Sequence, residues 1–172
     1  MPETPQEYTQ RILSYTEGKD PLRVQRETPK KLAALIKGLD KKRLSKRPAP
    51  ERWSIAEIIA HLADTEIVAG WRMRQILSTN GVPIHGFDQN SWAATFNYAR
   101  QDTRQALEVF RVLREYNLAL LKSVPKPRWE NHGVHQERGK ETARHILRMY
   151  AGHDLNHVSQ VEKIVKEGRK KK

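Results

Sequence analysis

Two histidines in the last long segment of the chain, His153 and His157, are four residues apart in the run YAGHDLNHVSQV. Residues at this spacing lie one above the other on the same face of an α-helix, so the two imidazoles can share one ion. Apolar residues recur around them at three- and four-residue steps, which places the pair on or beside the face that packs into a core. A polar ring in that position requires a partner, and a metal ion is one candidate.

A third histidine, His61, lies in an earlier helical segment and can complete a three-imidazole set with His153 and His157. Such a set suits a divalent transition metal, namely zinc, nickel or iron. It also leaves coordination positions open, which indicates reactivity rather than a structural site. A metal held in this way lowers the pKa of a bound water or thiol and generates a nucleophile near neutral pH.

The competing interpretation is that the three residues are core histidines without a metal. Buried imidazoles can be satisfied by hydrogen bonds alone, and Asp64, Asp154 and Tyr150 are the candidate partners. The spacing of the histidines leaves both interpretations open.

Asp64 is the candidate catalytic residue, because it follows His61 by about one helical turn. From there it could accept a hydrogen bond from an imidazole or act as a base on the attacking water. The alternative for Asp64 is a surface ion pair with Arg72 or with a neighbouring helix. Asp154 is expected either beside the ligands or in solvent, and Glu66 is expected to be structural.

The remaining histidines make weaker cases. His145 precedes His153 by two turns, about 12 Å along the helix axis, which is too far for the two to share an ion. His85, His132 and His135 are expected in loops, where histidines usually face solvent.

Three further groups of side chains have two interpretations each, a structural one and a functional one. Arg72 and Arg74 could bind a carboxylated substrate, but a solvated helix face is the favoured interpretation. Trp92 and Phe96 could line a pocket mouth, although aromatic residues at helical spacing more often pack. Trp53, directly before a helix start, is expected in the core.

Composition narrows the classes of site and location. The 172 residues include no cysteine, which excludes disulfides, thiolate zinc sites and a cysteine nucleophile. The first residues are polar and do not resemble a signal peptide, and no apolar run approaches the roughly 18 residues of a membrane span. We therefore expect a cytoplasmic protein without a membrane partner.

The net charge of +12 and the pI near 10.1 raise the question of nucleic acid as a partner. Much of the excess lies in the run Lys41–Arg47 and in the tail Lys166–Lys172, which are expected to be solvated segments. A basic surface that attracts small anionic ligands is an equally good interpretation, so nucleic acid is the less favoured partner.

Helical periodicity and helix start signals predict an all-α four-helix bundle with short extra helices. We expect one domain over residues 1–172, with an N-terminal extension at 1–19 and a basic tail at 166–172. Capping boxes are predicted at Thr4–Glu7 and Ser54–Glu57. No strand is predicted. The long helices are expected at 21–37, where Pro29 interrupts or kinks the helix, at 55–80, at 102–123 and at 141–167, with loops at 40–52, 81–89 and 126–140 between them.

Three separated runs, WSIAEIIAHLADTE (53–66), FDQNSWA (87–93) and YAGHDLNHVSQV (150–161), together resemble the DinB/YfiT-like family of metal-dependent enzymes. The likeness extends from about Asp20 to Ile164, with the runs in the family's order. It implies a four-helix bundle with a metal bound by three histidines, and the matching positions are His61, His153 and His157. It also implies a homodimer.

The resemblance implies an enzyme that acts on a small electrophilic substrate. The expected activity is that of a thiol S-transferase, which uses a low-molecular-weight thiol such as bacillithiol or mycothiol, or that of a hydrolase. The nucleophile would be a metal-activated thiol or water. Two alternatives stay open, a basic nucleic-acid-binding bundle and a metal-binding sensor or scaffold without turnover.

Overall fold

The computed structural model describes residues 3–170, so the first two residues of the predicted extension and the last two of the predicted basic tail lie outside it. Within these described residues, seven α-helices, two 3-10 segments and three short strands follow one another. In order they are α1 (Pro5–Ser14), α2 (Pro21–Ile36), α3 (Lys41–Ser45), α4 (Ile55–Ser78), β1 (Val82–Ile84), α5 (Gln89–Thr95), a 3-10 segment (Tyr98–Arg100), α6 (Thr103–Lys122), a second 3-10 segment (Lys126–Glu130), β2 (His132–His135), β3 (Gly139–Thr142) and α7 (Ala143–Lys170).

Both predicted capping boxes are confirmed. At the start of α4 the Ser54 side chain accepts from the Glu57 backbone, and the Glu57 carboxylate accepts from the Ser54 N–H at 2.8 Å. Thr4 and Glu7 make the same exchange at the start of α1. These reciprocal bonds satisfy amide donors that lack a partner inside the helix, so they fix where α4 begins and hence the position of His61.

The four long helices form a bundle in which α2 packs against α7 and α6, and α4 packs against α6 and α7. Each long helix therefore has two neighbours. Their inward faces supply most of the apolar core, which the fully buried Leu32, Ile59, Phe110 and Val161 represent at one end. The predicted four-helix bundle with short extra helices is confirmed. No helix within residues 3–170 is long and apolar enough to cross a membrane.

Helix α2 continues through Pro29, where the sequence predicts an interruption or a kink. Proline has no N–H, so the carbonyl one turn earlier, that of Gln25, loses its helical donor. The Nη1 atom of Arg114 donates to this carbonyl at 2.9 Å and replaces the missing bond. A side chain from α6 thus allows proline in the middle of a bundle helix.

The absence of strands is a wrong prediction. β1 pairs with β2 in parallel and β2 pairs with β3 antiparallel, which makes a small three-stranded sheet from two segments that we expected to be loops. Each strand has only three or four residues, too few for an alternating pattern to be visible. Gly133 lets β2 approach β1 closely, because a Cβ there would lie 2.5 Å from the Ile84 side chain.

Of the shorter helices, α3 lies where a loop was expected, whereas α1 begins at the predicted capping box of Thr4–Glu7. The predicted loop at 40–52 contains α3, which Asp40 caps by accepting from the Arg43 N–H at 2.8 Å. The predicted N-terminal extension contains α1, whose fully buried Ile12 packs against α7 at Gly152. The N-terminal segment is therefore in direct contact with the helix that carries His153.

Candidate metal centre

The structure brings the three predicted ligand residues together. Nε2 of His153 lies 3.0 Å from Nε2 of His61 and 3.1 Å from Nε2 of His157. One ring nitrogen from each residue can be chosen so that all three lie within 4.8 Å of one another. His61 and His157 are buried, whereas His153 is partly exposed.

Two helices position this histidine cluster, which we define as His61, His153 and His157. His61 lies in the second turn of α4, and the other two lie one turn apart on α7. Because α4 packs against α7, the inward face of each helix presents its imidazoles to the other. The His61 ring also packs against Trp53, with ring centroids 5.0 Å apart, so Trp53 supports the site as well as the core.

The arrangement of ring nitrogens fits a cation better than a hydrogen-bonded cluster. Nδ1 of His157 lies 2.9 Å from Oε1 of Gln160, which assigns the His157 proton to Nδ1 and leaves Nε2 as a lone pair. Nε2 of His153 could donate to only one of its two imidazole neighbours. A cation would accept a lone pair from all three rings. Tetrahedral zinc with Zn–N bonds of about 2.0–2.1 Å separates its nitrogens by about 3.3 Å, close to the spacing here.

Two ring nitrogens of the cluster, both Nδ1 atoms, have no hydrogen-bond partner within residues 3–170. Nδ1 of His61 and Nδ1 of His153 are buried and form no hydrogen bond to any group in the part of the chain that the structure describes. Metal-binding histidines usually donate this N–H to a fixed acceptor. Here the orientation of His61 depends on its aromatic neighbours instead, Trp53 at 5.0 Å and Phe87 at 6.5 Å between ring centroids.

Burial keeps the histidine rings neutral. Desolvation and the neighbouring His157 lower the pKa of His61 to about 3, and desolvation lowers the pKa of His157 to about 4 although Gln160 opposes the shift. Desolvation also lowers the pKa of His153 well below its usual value. Neutral imidazoles are the protonation state that metal binding requires, so no proton has to leave these rings near pH 7.

A pocket of about 700 Å³ opens beside the histidine cluster. Residues of α4 and α7 line it, His61 and His153 among them, and α1, the small sheet and the loop before α5 supply the rest of its lining. Arg72, His135, Tyr150 and Phe87 are among its lining residues. A pocket of this size holds a small-molecule substrate.

Arg72 is not on a solvated helix face, and that interpretation is wrong. Its side chain lines the pocket and the residue is 9% exposed. Nη1 donates to the Tyr150 hydroxyl at 3.1 Å, and Nη2 donates to the backbone carbonyl of His85. The Arg72 guanidinium also stacks over Phe87, with Cζ 5.9 Å from the ring centroid.

The acidic residues near the cluster have partners of their own. Asp64 accepts a hydrogen bond from the Tyr98 hydroxyl, not from Arg72 or a ligand histidine. Asp154 is buried and paired with Arg114 at 2.6 Å, which corrects the solvated alternative. Glu66 pairs with the same arginine at 2.8 Å, which confirms a structural role. The role of Asp64 as a base stays a prediction.

His135 corrects the expectation of solvent-facing loop histidines. It lies in β2, is only 4% exposed and lines the pocket, and burial lowers its pKa. Sequence reasoning also missed Gln160 and Thr65, whose Oγ1 lies 3.4 Å from Nε2 of His61. The signal for both was available, since Gln160 follows His157 by three residues and Thr65 follows His61 by four.

The chain is similar to a known protein family, to several related sequences and to a solved structure. The sequence model of the DinB superfamily matches residues 26–161. A relative from Bacillus subtilis, named "Putative metal-dependent hydrolase YfiT", is 22% identical over 161 residues, 92% of this chain and 90% of its own. Relatives with the same descriptive name from Halalkalibacterium halodurans and Geobacillus kaustophilus are 22% and 24% identical, over 78% and 82% of this chain and 78% and 80% of their own.

The solved structure of YfiT, described as a probable metal-dependent hydrolase with an unusual four-helix bundle topology, is similar to this chain with a TM-score of 0.80. The match covers 86% of this chain and 85% of the other at 19% sequence identity. At that identity the likeness shows a shared fold.

Proposed function

The chain belongs to the DinB superfamily, and on that premise we propose that it is a metal-dependent hydrolase with a three-histidine metal site. The observation that carries the proposal is the convergence of three Nε2 atoms, of which those of His61 and His153 lie 3.0 Å apart beside a pocket. Relatives named as metal-dependent hydrolases support the reaction class.

In this proposal His61, His153 and His157 hold a divalent transition metal, with zinc, nickel and iron as the candidates. A metal held by three imidazoles supplies Lewis acidity toward a carbonyl group or a water molecule. The Oε1 atom of Gln160 orients His157 by accepting a hydrogen bond from its Nδ1–H. His61 and His153 line the pocket, so the substrate would approach from their side of the cluster.

The catalytic role proposed for Asp64 is supported by its position one turn after His61, and the hydrogen bond from Tyr98 holds its carboxylate in place. The centroid of the Tyr98 ring lies 6.5 Å from that of the Trp53 ring, and Trp53 in turn packs against the His61 ring. Replacement Asp64→Asn keeps this shape and removes the basic group. A loss of turnover with unchanged metal content in Asp64→Asn would support a proton-transfer role.

The thiol S-transferase, with a low-molecular-weight thiol as cofactor, is the finer alternative for the same metal site. It predicts turnover of an electrophile only when a thiol is added, whereas the hydrolase needs water alone. A sensor or scaffold would bind metal without turnover in either assay. A nucleic-acid-binding bundle would bind DNA with strong salt dependence whether or not the histidines are present.

Activated esters and amides, screened with untagged protein loaded with zinc, nickel or ferrous iron, test the hydrolase directly. We expect metal-dependent hydrolysis that is lost in His153→Ala and retained in the control His145→Ala. His145 lies on the same helix, but its ring Nε2 lies 3.8 Å from Oε1 of Glu141, and it takes no part in the cluster. Hydrolysis that is equal in the metal-free and metal-loaded protein would contradict the proposal.

A further inference from the structure

Arg72 is a buried cation without an acidic partner. Its two hydrogen bonds, to the Tyr150 hydroxyl and the His85 carbonyl, are to neutral groups, and it forms no ion pair within residues 3–170. A guanidinium has five N–H donors, and these contacts use two of them. The Nε atom is buried with no partner among the described groups. Burial of an unpaired charge is costly, which indicates that an anion completes this site.

The other charged residues that line the pocket are either paired or exposed. Arg138 donates to Glu141 at 2.6 Å, and Glu3 accepts from Arg11 at 2.7 Å. Two more acidic residues at the rim, Asp88 and Glu137, are exposed, where water and salt screen their charge. Arg72 is therefore a buried positive charge in the pocket wall that pairs with no acidic residue within residues 3–170.

Arg72 and the histidine cluster lie on the same side of the pocket wall. Arg72 follows His61 by eleven residues, close to three full turns, so both side chains leave α4 on one face. The Phe87 ring lies near both, with its centroid 6.5 Å from that of the His61 ring and 5.9 Å from Cζ of Arg72. The guanidinium is therefore no farther from the His61 ring than the sum of these two distances, and one small molecule can contact both.

We infer that this pocket selects small substrates that carry a carboxylate group, which Arg72 binds while the hydrolysed bond lies at His61 and His153. The inference rests on the proposed function for the hydrolysed bond and adds the substrate class. A carboxylate suits the site because it is flat and accepts two N–H groups from one edge of a guanidinium. Phe87 over the guanidinium face directs the anion to that edge.

Binding of glutarate, compared with the neutral glutaramide, tests the anion site without any metal. Protein dialysed against a chelator is titrated with each compound and followed by ligand-observed NMR. We expect glutarate to bind at least about tenfold more tightly than glutaramide, and this preference to disappear in Arg72→Met. Equal binding of the two compounds by the unaltered protein, or an unchanged preference in Arg72→Met, would overturn the inference.

Arg74→Met is the matched control, since it removes the same charge from the same helix. Arg74 donates to the Gly70 carbonyl and to Asn117, both at 2.8 Å, and it does not line this pocket. The control should keep the glutarate preference. If Arg72→Met does not fold, Arg72→Lys is tested instead. This variant keeps the positive charge but lacks the edge of the guanidinium, so we expect it to bind glutarate at least about fivefold more weakly. Unchanged binding in Arg72→Lys would overturn the inference.

Two further experiments test the class of anion and the reaction separately. Inorganic phosphate that binds more tightly than glutarate at Arg72 would overturn the assignment to carboxylates. With metal-loaded protein, the mono-4-nitrophenyl ester of glutarate should be hydrolysed with a higher kcat/KM than 4-nitrophenyl pentanoate, and Arg72→Met should reverse the order. Glutarate binding without hydrolysis of either ester would support the anion site and contradict the proposed hydrolase.

Discussion

The Nη1 atom of Arg114 donates a 2.6 Å hydrogen bond to Oδ2 of Asp154, the residue that directly follows His153. The same guanidinium donates to Glu66 on α4 at 2.8 Å and to the Gln25 carbonyl on α2 at 2.9 Å. One side chain from α6 therefore connects all four long helices at the level of the histidine cluster. The register between α4 and α7, on which the meeting of the imidazoles depends, is fixed here.

Loss of this arginine should be among the most damaging single changes in the chain. Arg114→Met leaves two carboxylates, Glu66 and Asp154, buried without a counter-charge, which costs about 3–5 kcal/mol of unfolding free energy. Urea unfolding measures the loss. Arg111→Met is the control, since Arg111 pairs with Glu108 and Glu115 in solvent, where ion pairs contribute little, and its loss should cost far less. Similar losses in both variants would contradict the role of Arg114.

Gly152 is required for the contact between α1 and α7. A Cβ at this position would lie 2.1 Å from the Ile12 carbonyl oxygen, so Gly152→Ala forces the two helices apart. We expect a loss of about 1–3 kcal/mol and faster proteolysis within α1. Gly168→Ala is the control, because its Cβ would meet nothing closer than Arg43 at 3.6 Å. There the better helix propensity of alanine should stabilise by up to about 1 kcal/mol.

The metal-free protein should become less stable as the pH falls from about 6.5 toward about 4. The folded-state pKa values of His61 and His157 are about 3 and about 4, below the unfolded value of about 6.5. Between these values the unfolded chain binds more protons, so acid favours unfolding by up to about 1.4 kcal/mol per pH unit for each histidine. Urea unfolding across this range measures the slope. His61→Leu should show a shallower slope, and an unchanged slope would contradict the account.

The predicted homodimer has a candidate interface on the neighbouring outer faces of α4 and α6. Large apolar side chains are exposed there, among them Trp71 at 49%, Val112 at 48% and Tyr116 at 63%. Exposed apolar surface of this kind favours association. Sedimentation equilibrium should find a dimer that Trp71→Glu converts to a monomer, while Val134→Glu, on the exposed side of β2, leaves it intact. A monomeric unaltered protein would contradict the homodimer.

Local signals in the sequence were sufficient to predict the four long helices and the candidate ligands. Ser54 and Glu57 form a capping box within four residues, and His153 and His157 are a single turn apart, so both patterns depend on neighbours along the chain. The position of His61 opposite them could be predicted from the family resemblance, but not from spacing.

The features that the sequence did not predict depend on contacts between distant segments. The parallel pairing of Ile84 with His135 joins strands too short to show alternation, and it turns an expected loop histidine into part of the pocket wall. Likewise, nothing near Arg72 in the sequence indicates Tyr150 or the His85 carbonyl as its partners. The partners of the charged residues in the pocket therefore could not be predicted from the sequence.

Metal content is the most direct test of the three-histidine site. Untagged protein, purified without chelators and analysed by plasma mass spectrometry, should contain close to one transition-metal ion per chain. Folded His61→Ala, His153→Ala and His157→Ala should each lose it, and His145→Ala should retain it. A metal-free unaltered protein that takes up no zinc, nickel or iron on titration, or an unchanged metal content in the three variants, would contradict the account.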